Sequence, residues 1–444
     1  MAFAGSIYLA RTLGVGLYGV IGLAGAVLLY FTALAEAGTE SIGVRDLASN
    51  RANLAAIVPD LLGFRAVWSG LLAVVFIVGS ILLLPPLEGT VVALYGLTLL
   101  PFGANVRWIH LGLEQGRPVA VARTCGEVLV LSLVLTLVHQ PGDVWRVPVL
   151  QLAGDTLAAV LLVVTIVRAG VPLTLRFSWR PVLHYARHAW PIVAHSLLGL
   201  IIFNSDFIFL RAFWDNVAVG YYVAAYALIS FLLNLGVAYG QSLLPTLSRL
   251  DPAGPQQDLY HSAMAHLLLA ALPLSIGGFL LAGPIIGLVF GPTYVPAARA
   301  LACLVWTIPV AFLRMPPQAA LITRHRQDRM MQSAAWSAGL NAGLNFLLIP
   351  RWGIVGAAVA TLGTECLRTG LVLLFVRREG FRRTPSNRFH RSLLAGLVLA
   401  GALVLVRGSP LWIAIPVGGV VYLGVLVVTG GISFRDGPIP SILV

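Results

Sequence analysis

Glu36, Arg107, Asn204, Asp206, Arg211 and Arg314 stand inside or at the ends of long apolar runs, and Arg11 sits in the apolar stretch ahead of them. A charge in hydrocarbon is unfavourable by about 2.5–3.5 kcal/mol on insertion scales, so each such group needs a partner or a wet cavity. Asp206 lies well within the run 189–211 beside Asn204 and Ser205. That trio can serve a coupling ion or sugar hydroxyls, or can fix helix packing through an interhelical hydrogen bond. Arg107, His110 and Glu114 follow at spacings of three and four, the spacing of one helical face. The fork of a cavity-facing guanidinium donates two parallel hydrogen bonds to phosphate oxygens and so suits a diphosphate. The alternative is that Glu114 and a lipid headgroup neutralise the stripe. Arg314 falls between Pro309 and Pro316-Pro317. A helix broken there exposes carbonyls that only protein or a cavity can satisfy, which predicts a cavity-facing arginine. Arg11 and Arg211, near outer helix ends, either meet an anionic group at the outer face or snorkel to outer headgroups. Glu36 closes the first complete apolar run and either bears on gating and coupling or pairs with Arg45 at the interface. Arg123 with Glu127, and Glu365 with Arg368, are four and three residues apart and can each neutralise themselves on one face. Asp155 has no local partner in the sequence.

These residues must be held by membrane helices. Of 444 residues 58% are hydrophobic and 10% charged, whereas a soluble domain carries about 25% charged residues. A globule of this size has too little interior to hide so much apolar surface, so a soluble enzyme, a secreted disulfide scaffold and a disordered chain are excluded. Apolar runs near 17–36, 61–84, 91–111, 119–138, 148–168, 189–211, 219–242, 263–282, 299–319, 332–349, 354–376, 392–407 and 410–430 predict thirteen spans. Met1 to Leu13 is apolar but reaches only about 20 Å as a helix, short of a bilayer core of about 30 Å. It is expected to be a shortened first helix or the remnant of a late-assigned gene start, the complete version having fourteen spans.

The net charge is +12 and every basic residue is arginine. Assigning alternate loops to opposite sides puts twenty arginines, Arg45, Arg65, Arg123 and Arg377 among them, on one side and six, including Arg11, Arg146 and Arg211, on the other. The positive-inside rule makes the first side cytoplasmic. The arginines form no continuous basic stripe, so no nucleic acid is expected. Cys125, Cys303 and Cys366 are isolated in apolar runs, which excludes a disulfide frame or zinc spacing. Gly14-Val15-Gly16-Leu17-Tyr18-Gly19 matches a dinucleotide fingerprint without the strand it requires. His184 and His188 lack the glutamate of a zinc helix, and Arg176 to Arg187 reads as a basic amphipathic segment. No Walker motif or catalytic side-chain set occurs. The expectation is a non-enzyme with no catalytic residues, no cofactor and no resident metal.

Val15-Gly16-Leu17-Tyr18 and Val219-Gly220-Tyr221-Tyr222 open two spans 204 residues apart, suggesting two halves of parallel organisation. Further patterns occur in order. The N-terminal set is Ala10-Arg11-Thr12-Leu13-Gly14, Tyr18-Gly19, Glu36-Ala37-Gly38 and Val44-Arg45-Asp46-Leu47-Ala48. Midway come Asn204-Ser205-Asp206-Phe207-Ile208-Phe209-Leu210 and Ala225-Tyr226. Phe290-Gly291-Pro292-Thr293-Tyr294 and the run from Asn345 through Pro350-Arg351-Trp352-Gly353 to Thr361 complete them. Together they resemble the polysaccharide or oligosaccharide flippases, of the O-antigen type, within the multidrug, oligosaccharidyl-lipid and polysaccharide exporter superfamily.

The resemblance implies an all-α integral membrane protein of about 13–14 transmembrane helices, in two six-helix lobes around a central cavity with two C-terminal helices. It divides the chain into an N-terminal lobe (1–168), a cytoplasmic connecting segment (169–187), a C-terminal lobe (188–376) and two trailing helices with a tail (377–444). The implied activity is translocation of a polyprenyl-diphosphate-linked oligosaccharide across a bacterial cytoplasmic membrane for surface polysaccharide synthesis. Substrate contacts are expected at Arg11, Arg107, Asn204, Arg211 and Arg314, and coupling or gating at Glu36 and Asp206. The expected partners are the lipid-linked oligosaccharide, membrane lipids, a polysaccharide polymerase and glycosyltransferases, with an unassigned coupling ion. The competing readings are a cation-coupled drug antiporter of the same superfamily, a membrane glycan polymerase or ligase, and a non-transporting scaffold.

Overall fold

A computed structural model describes residues 2–49, 54–171, 173–176, 179–250, 254–381, 387–406 and 408–431. Part of the connecting segment 169–187, with the side chains of His184 and His188, and the tail beyond 431 lie outside the described residues. The described chain is helical without strands, as lipid requires, since a helix satisfies its own backbone polar groups. The first helices are α1 (Ala2–Glu36), α2 (Thr39–Ser49), α3 (Leu54–Leu83), α4 (Pro86–Gly96), α5 (Leu99–Ala104), α6 (Arg107–Gly112), α7 (Gly116–Leu137) and α8 (Arg146–Arg168). There follow α9 (Trp179–Phe213), α10 (Asn216–Arg249), α11 (Pro255–Leu280), α12 (Ala282–Val289), α13 (Ala298–Leu304), α14 (Thr307–Thr323), α15 (Gln327–Arg378), α16 (Asn387–Leu405) and α17 (Leu411–Val428).

Ten helical stretches among the described residues are long and apolar enough to cross a membrane, eleven with Pro292–Leu304 and Thr307–Thr323 taken as one bent span. The fifty-two residues of α15 are themselves two spans. At Gly353 the backbone leaves the helical region (φ 51°, ψ −127°), and Asn341 Nδ2 donates to Thr364 Oγ1 at 3.3 Å. In a straight helix those residues would stand about 35 Å apart. The chain therefore reverses at Gly353. With that division and the shorter α16, the thirteen apolar runs are all accounted for. The same device shapes α1: Gly14 (φ 77°, ψ 170°) breaks it, and Ser6 and Tyr18 hydroxyls hydrogen-bond across the break. A short N-terminal helix and a full span thus lie side by side.

The chain forms two compact units, Met1–Gly220 and Tyr221–Val444. In the first, α9 packs along α1, with Tyr30 Oη donating to the Leu200 carbonyl at 3.0 Å. The two Val-Gly segments of the repeat meet within this unit. A Cβ on Gly19 would lie 1.9 Å from the Asn216 carbonyl oxygen, and one on Gly220 2.0 Å from that of Val15. In the second unit α11 packs on α14 and α16, and Tyr422 Oη of α17 donates to the Leu269 carbonyl at 2.9 Å.

The run 91–111, expected as one helix, is instead three pieces, α4, α5 and α6. Thr98 and Asn105 sit at the joints, where Thr98 N–H and Oγ1 both donate to the Tyr95 carbonyl and the Asn105 side chain accepts from the Arg107 N–H.

Candidate substrate cavity

The broken run opens onto a cavity of about 500 Å³ inside the first unit, between α1, α5, α6, α7 and α8. Its placement follows from glycine. A Cβ on Gly126 would lie 2.7 Å from the Gly154 carbonyl oxygen, and one on Gly154 2.2 Å from a Val130 methyl, so α7 and α8 cross in near backbone contact. Only residues without a side chain allow that approach. The neighbours of the two glycines, Glu127 and Asp155, are thereby turned into the cavity from adjacent helices, and Arg123 follows one turn from Glu127. Gln151 Nε2 donates to Asp155 Oδ1 at 3.1 Å. Arg123 and Glu127 both line the cavity and make no ion pair with each other, contrary to the self-neutralised face expected from their spacing. Thr32, Thr98, Asn105 and Arg107 complete the polar lining; Leu28, Leu29, Val119 and Leu162 are among the apolar walls.

Arg107 opens α6, where Asn105 Oδ1 accepts its backbone N–H at 2.9 Å. Its Nε donates to Glu40 Oε1 at 3.0 Å and its Nη2 to the same oxygen. The expected stripe Arg107, His110, Glu114 does not form. Helix α6 ends at Gly112, and Glu114 lies beyond it at φ 61°. His110 is buried, with Nε2 3.1 Å from the Leu162 carbonyl and Nδ1 3.1 Å from Gln115 Oε1, and serves the packing of α6 on α8.

Behind Arg107 lies Arg65, which is buried in α3 although its position suggested a cytoplasmic charge. Its Nη1 donates to Thr39 Oγ1 at 3.1 Å and its Nη2 to the Phe102 carbonyl at 3.3 Å, with the guanidinium over the Phe102 ring. Thr39 Oγ1 in turn donates to the Glu36 carbonyl. Glu36 and Glu40 both act electrostatically on Arg65, and Arg107 acts on Arg65 and Glu36. Arg45, offered by the sequence as a partner for Glu36, pairs instead with Asp46 at 3.0 Å.

The other candidates lie elsewhere. Arg211 donates from Nε and Nη2 to Glu88 Oε2 at 3.2 and 2.9 Å, and Asn216 Nδ2 donates to Glu88 Oε1 at 2.6 Å. Glu88 thus joins α4 to the end of α9 and the start of α10, a role its sequence position did not signal. Asp206 and Ser205 are buried on α9 and Asn204 is half-buried; none lines the cavity. Arg11 is exposed on the short N-terminal helix. In the second unit Arg314 pairs with Glu365 at 2.9 Å, and Arg368 approaches that carboxylate at 3.8 Å. The sequence paired Glu365 with Arg368 alone, because Arg314 is brought to it by the packing of α14 on α15.

Chemically, the cavity offers guanidinium donors for an anion together with carboxylate, amide and hydroxyl groups for a polyol. The sequence missed Glu40 and Gln151 altogether, read Glu127 as the structural partner of Arg123, and left Asp155 with nothing beyond an interhelical bond. The available signal was the pair Gly126 and Gly154, each immediately preceding an acid.

A family model described as polysaccharide biosynthesis protein matches residues 1–251. The chain is 22% identical over 387 residues, 84% of its own length and 91% of the relative's, to the Escherichia coli K12 protein named "Putative O-antigen transporter". It superposes on a solved structure of "Lipid II flippase MurJ, inward closed conformation" with TM-score 0.77, covering 96% of this chain and 95% of that one at 14% identity. An inward-facing multidrug resistance transporter of the MATE family, in the MOP superfamily, matches with TM-score 0.68 over 87% of this chain and 95% of that one at 13% identity. Those structural likenesses establish the fold.

Proposed function

The chain belongs to the polysaccharide biosynthesis protein family, and from that premise we propose that it is a flippase. Its substrate is a polyprenyl-diphosphate-linked oligosaccharide, moved from the inner to the outer leaflet of a bacterial cytoplasmic membrane. The observation that carries this reading is the cavity of about 500 Å³ among membrane-length helices, with Arg107 and Arg123 beside Asn105, Glu127, Gln151 and Asp155. A volume between about 300 and 1,000 Å³ is that of a small-molecule site. Guanidinium and sugar-binding groups together suit a head group made of a diphosphate and its first sugars.

In this reading Arg107 and Arg123 hold the diphosphate, and Asn105, Gln151 and Asp155 meet sugar hydroxyls. The lipid tail stays in the bilayer. Asp206 and Glu36 are the acids offered for coupling, whether to membrane potential, protons or sodium. Arg11 and Arg211 remain candidates at the exit, with Arg211 held by Glu88. A polymerase and glycosyltransferases are the expected partners in the same biosynthesis. The two cavity acids, Glu127 and Asp155, support one second reading, a cation-coupled drug antiporter of the same superfamily.

The test is complementation of a flippase-deficient strain at matched membrane expression. Arg123→Ala and Asp155→Asn are expected to lower surface polysaccharide at least about tenfold while leaving insertion and thermal stability intact, since neither side chain is ion-paired among the described residues. Normal surface polysaccharide in both variants would overturn the proposal. Drug resistance conferred by the wild-type chain without glycan transport would favour the antiporter.

A further inference from the structure

Glu40 is set by a chain of contacts that begins one helix away. Ala37 (φ 46°) and Gly38 (φ 67°) turn the chain between α1 and α2. Buried Arg65 donates to Thr39 Oγ1, and Thr39 to the Glu36 carbonyl, which fixes the first turn of α2 and aims Glu40 at Arg107. Glu40 then engages Arg107 through a single oxygen, Oε1, which accepts from Nε and Nη2. A guanidinium carries five N–H donors in a fixed fork. Both Nη1 donors and the second Nη2 donor of Arg107 therefore have no partner among the described residues, and its side chain, 47% exposed, lines the cavity.

The edge left open, Nη1–Nη2, is one that takes a phosphate with two parallel hydrogen bonds. The edge that is occupied prevents the side chain from swinging. Charge works in the opposite direction. Glu36, Glu40, Arg65 and Arg107 sum to zero, so an arriving phosphate makes the cluster negative, and its binding is weaker than to an unopposed arginine. A carrier has to release what it binds, and such attenuation serves release.

We infer that Glu40 is a positioning residue for this arginine: it pins Arg107 by the Nε–Nη2 edge, presents the Nη1–Nη2 edge to a phosphate of the substrate, and weakens the hold enough for the phosphate to leave. The inference rests on the proposed function, and adds to it a residue that never touches the substrate but sets its affinity and its rate of departure.

The test uses the purified full chain in lipid nanodiscs, with geranylgeranyl diphosphate as the binding probe and proteoliposomes to follow flipping of a lipid-linked sugar. Glu40→Gln keeps an oxygen acceptor for the pin and removes the opposing charge. It is expected to bind the probe about tenfold more tightly and to flip more slowly. Glu40→Ala removes both pin and charge and is expected to bind less tightly than Glu40→Gln. Glu40→Asp retains the charge on a shorter arm and is expected to bind no more tightly than wild type. In an Arg107→Ala background Glu40→Gln is expected to change nothing.

A Glu40→Gln protein of wild-type thermal stability that binds the probe equally or more weakly overturns the inference. So does a Glu40→Gln effect that persists without Arg107, or an Asp variant that binds more tightly. Should wild type bind the probe and Arg107→Ala weaken it while Glu40→Gln does not tighten it, the inference alone fails. Absence of binding by wild type overturns the phosphate role of Arg107, and the inference with it.

Discussion

Arg314 Nη2 lies 2.9 Å from the Glu365 carboxylate, and the two side chains are 4% and 1% exposed. Arg107, by contrast, is half-exposed and paired with Glu40 on one edge only. The two arginines that the sequence set side by side as diphosphate ligands thus differ in kind. One is committed to a buried pair, the other is open to a cavity.

Removal of Arg314 is therefore expected to act on folding before it acts on transport. Breaking a buried pair costs about 3–5 kcal/mol, and Arg368, 3.8 Å from the same carboxylate, is expected to hold the loss toward the lower end of that range. Arg314→Ala should lower the thermal midpoint and the yield of monodisperse protein in detergent, read by size-exclusion chromatography with fluorescence detection. Arg314→Met combined with Glu365→Leu should not recover that loss, because it takes from buried Arg368 the carboxylate that faces it. Equal stability of wild type and Arg314→Ala would show that the pair is dispensable.

The α7–α8 crossing depends on Gly126. Its Cβ would sit 2.7 Å from the Gly154 carbonyl oxygen, a backbone atom that cannot move aside alone. Gly126→Val should separate the helices, displace Glu127 and Asp155, and cost about 1–3 kcal/mol. Flipping should fall further than Gly126→Ala produces. Thermal unfolding and a proteoliposome assay on both variants would check the order.

Gly353 is expected to be intolerant of any side chain, since its φ of 51° with ψ −127° turns the chain between two spans of α15. That region is essentially closed to residues with a Cβ and costs about 1–3 kcal/mol to occupy. Gly353→Ala should reduce stability by that order, whereas Gly343→Ala, where a Cβ meets open space, should leave it unchanged or raise it slightly. Parallel melting curves would separate the two.

Much of the fold was legible because hydrocarbon imposes a single rule on the backbone. Apolar runs of about 20 residues must be helices, and the thirteen runs fell on helices when Gly353 was taken as a reversal. The break within 91–111 was not legible. Pro101, Gly103 and Asn105 in that run are residues a membrane helix tolerates, so the sequence does not say that three short helices form in place of one. They do so because the break places Asn105 and Arg107 on the cavity.

The sequence by itself determined the solvent, the helical class and most of the apolar runs, and a short roster of charges that lipid could not leave alone. Only the tertiary structure decided which of those charges meet. Glu40 and Arg107 are 67 residues apart and Glu88 and Arg211 are 123 apart, yet both are in direct contact. Spacing rules of three and four describe neighbours on one helix, and they paired Arg123 with Glu127 and Glu365 with Arg368 for that reason. Charges in a membrane choose their partners across helices, where glycine-mediated approach and broken backbone set the distances, and those are properties of packing that no single segment carries.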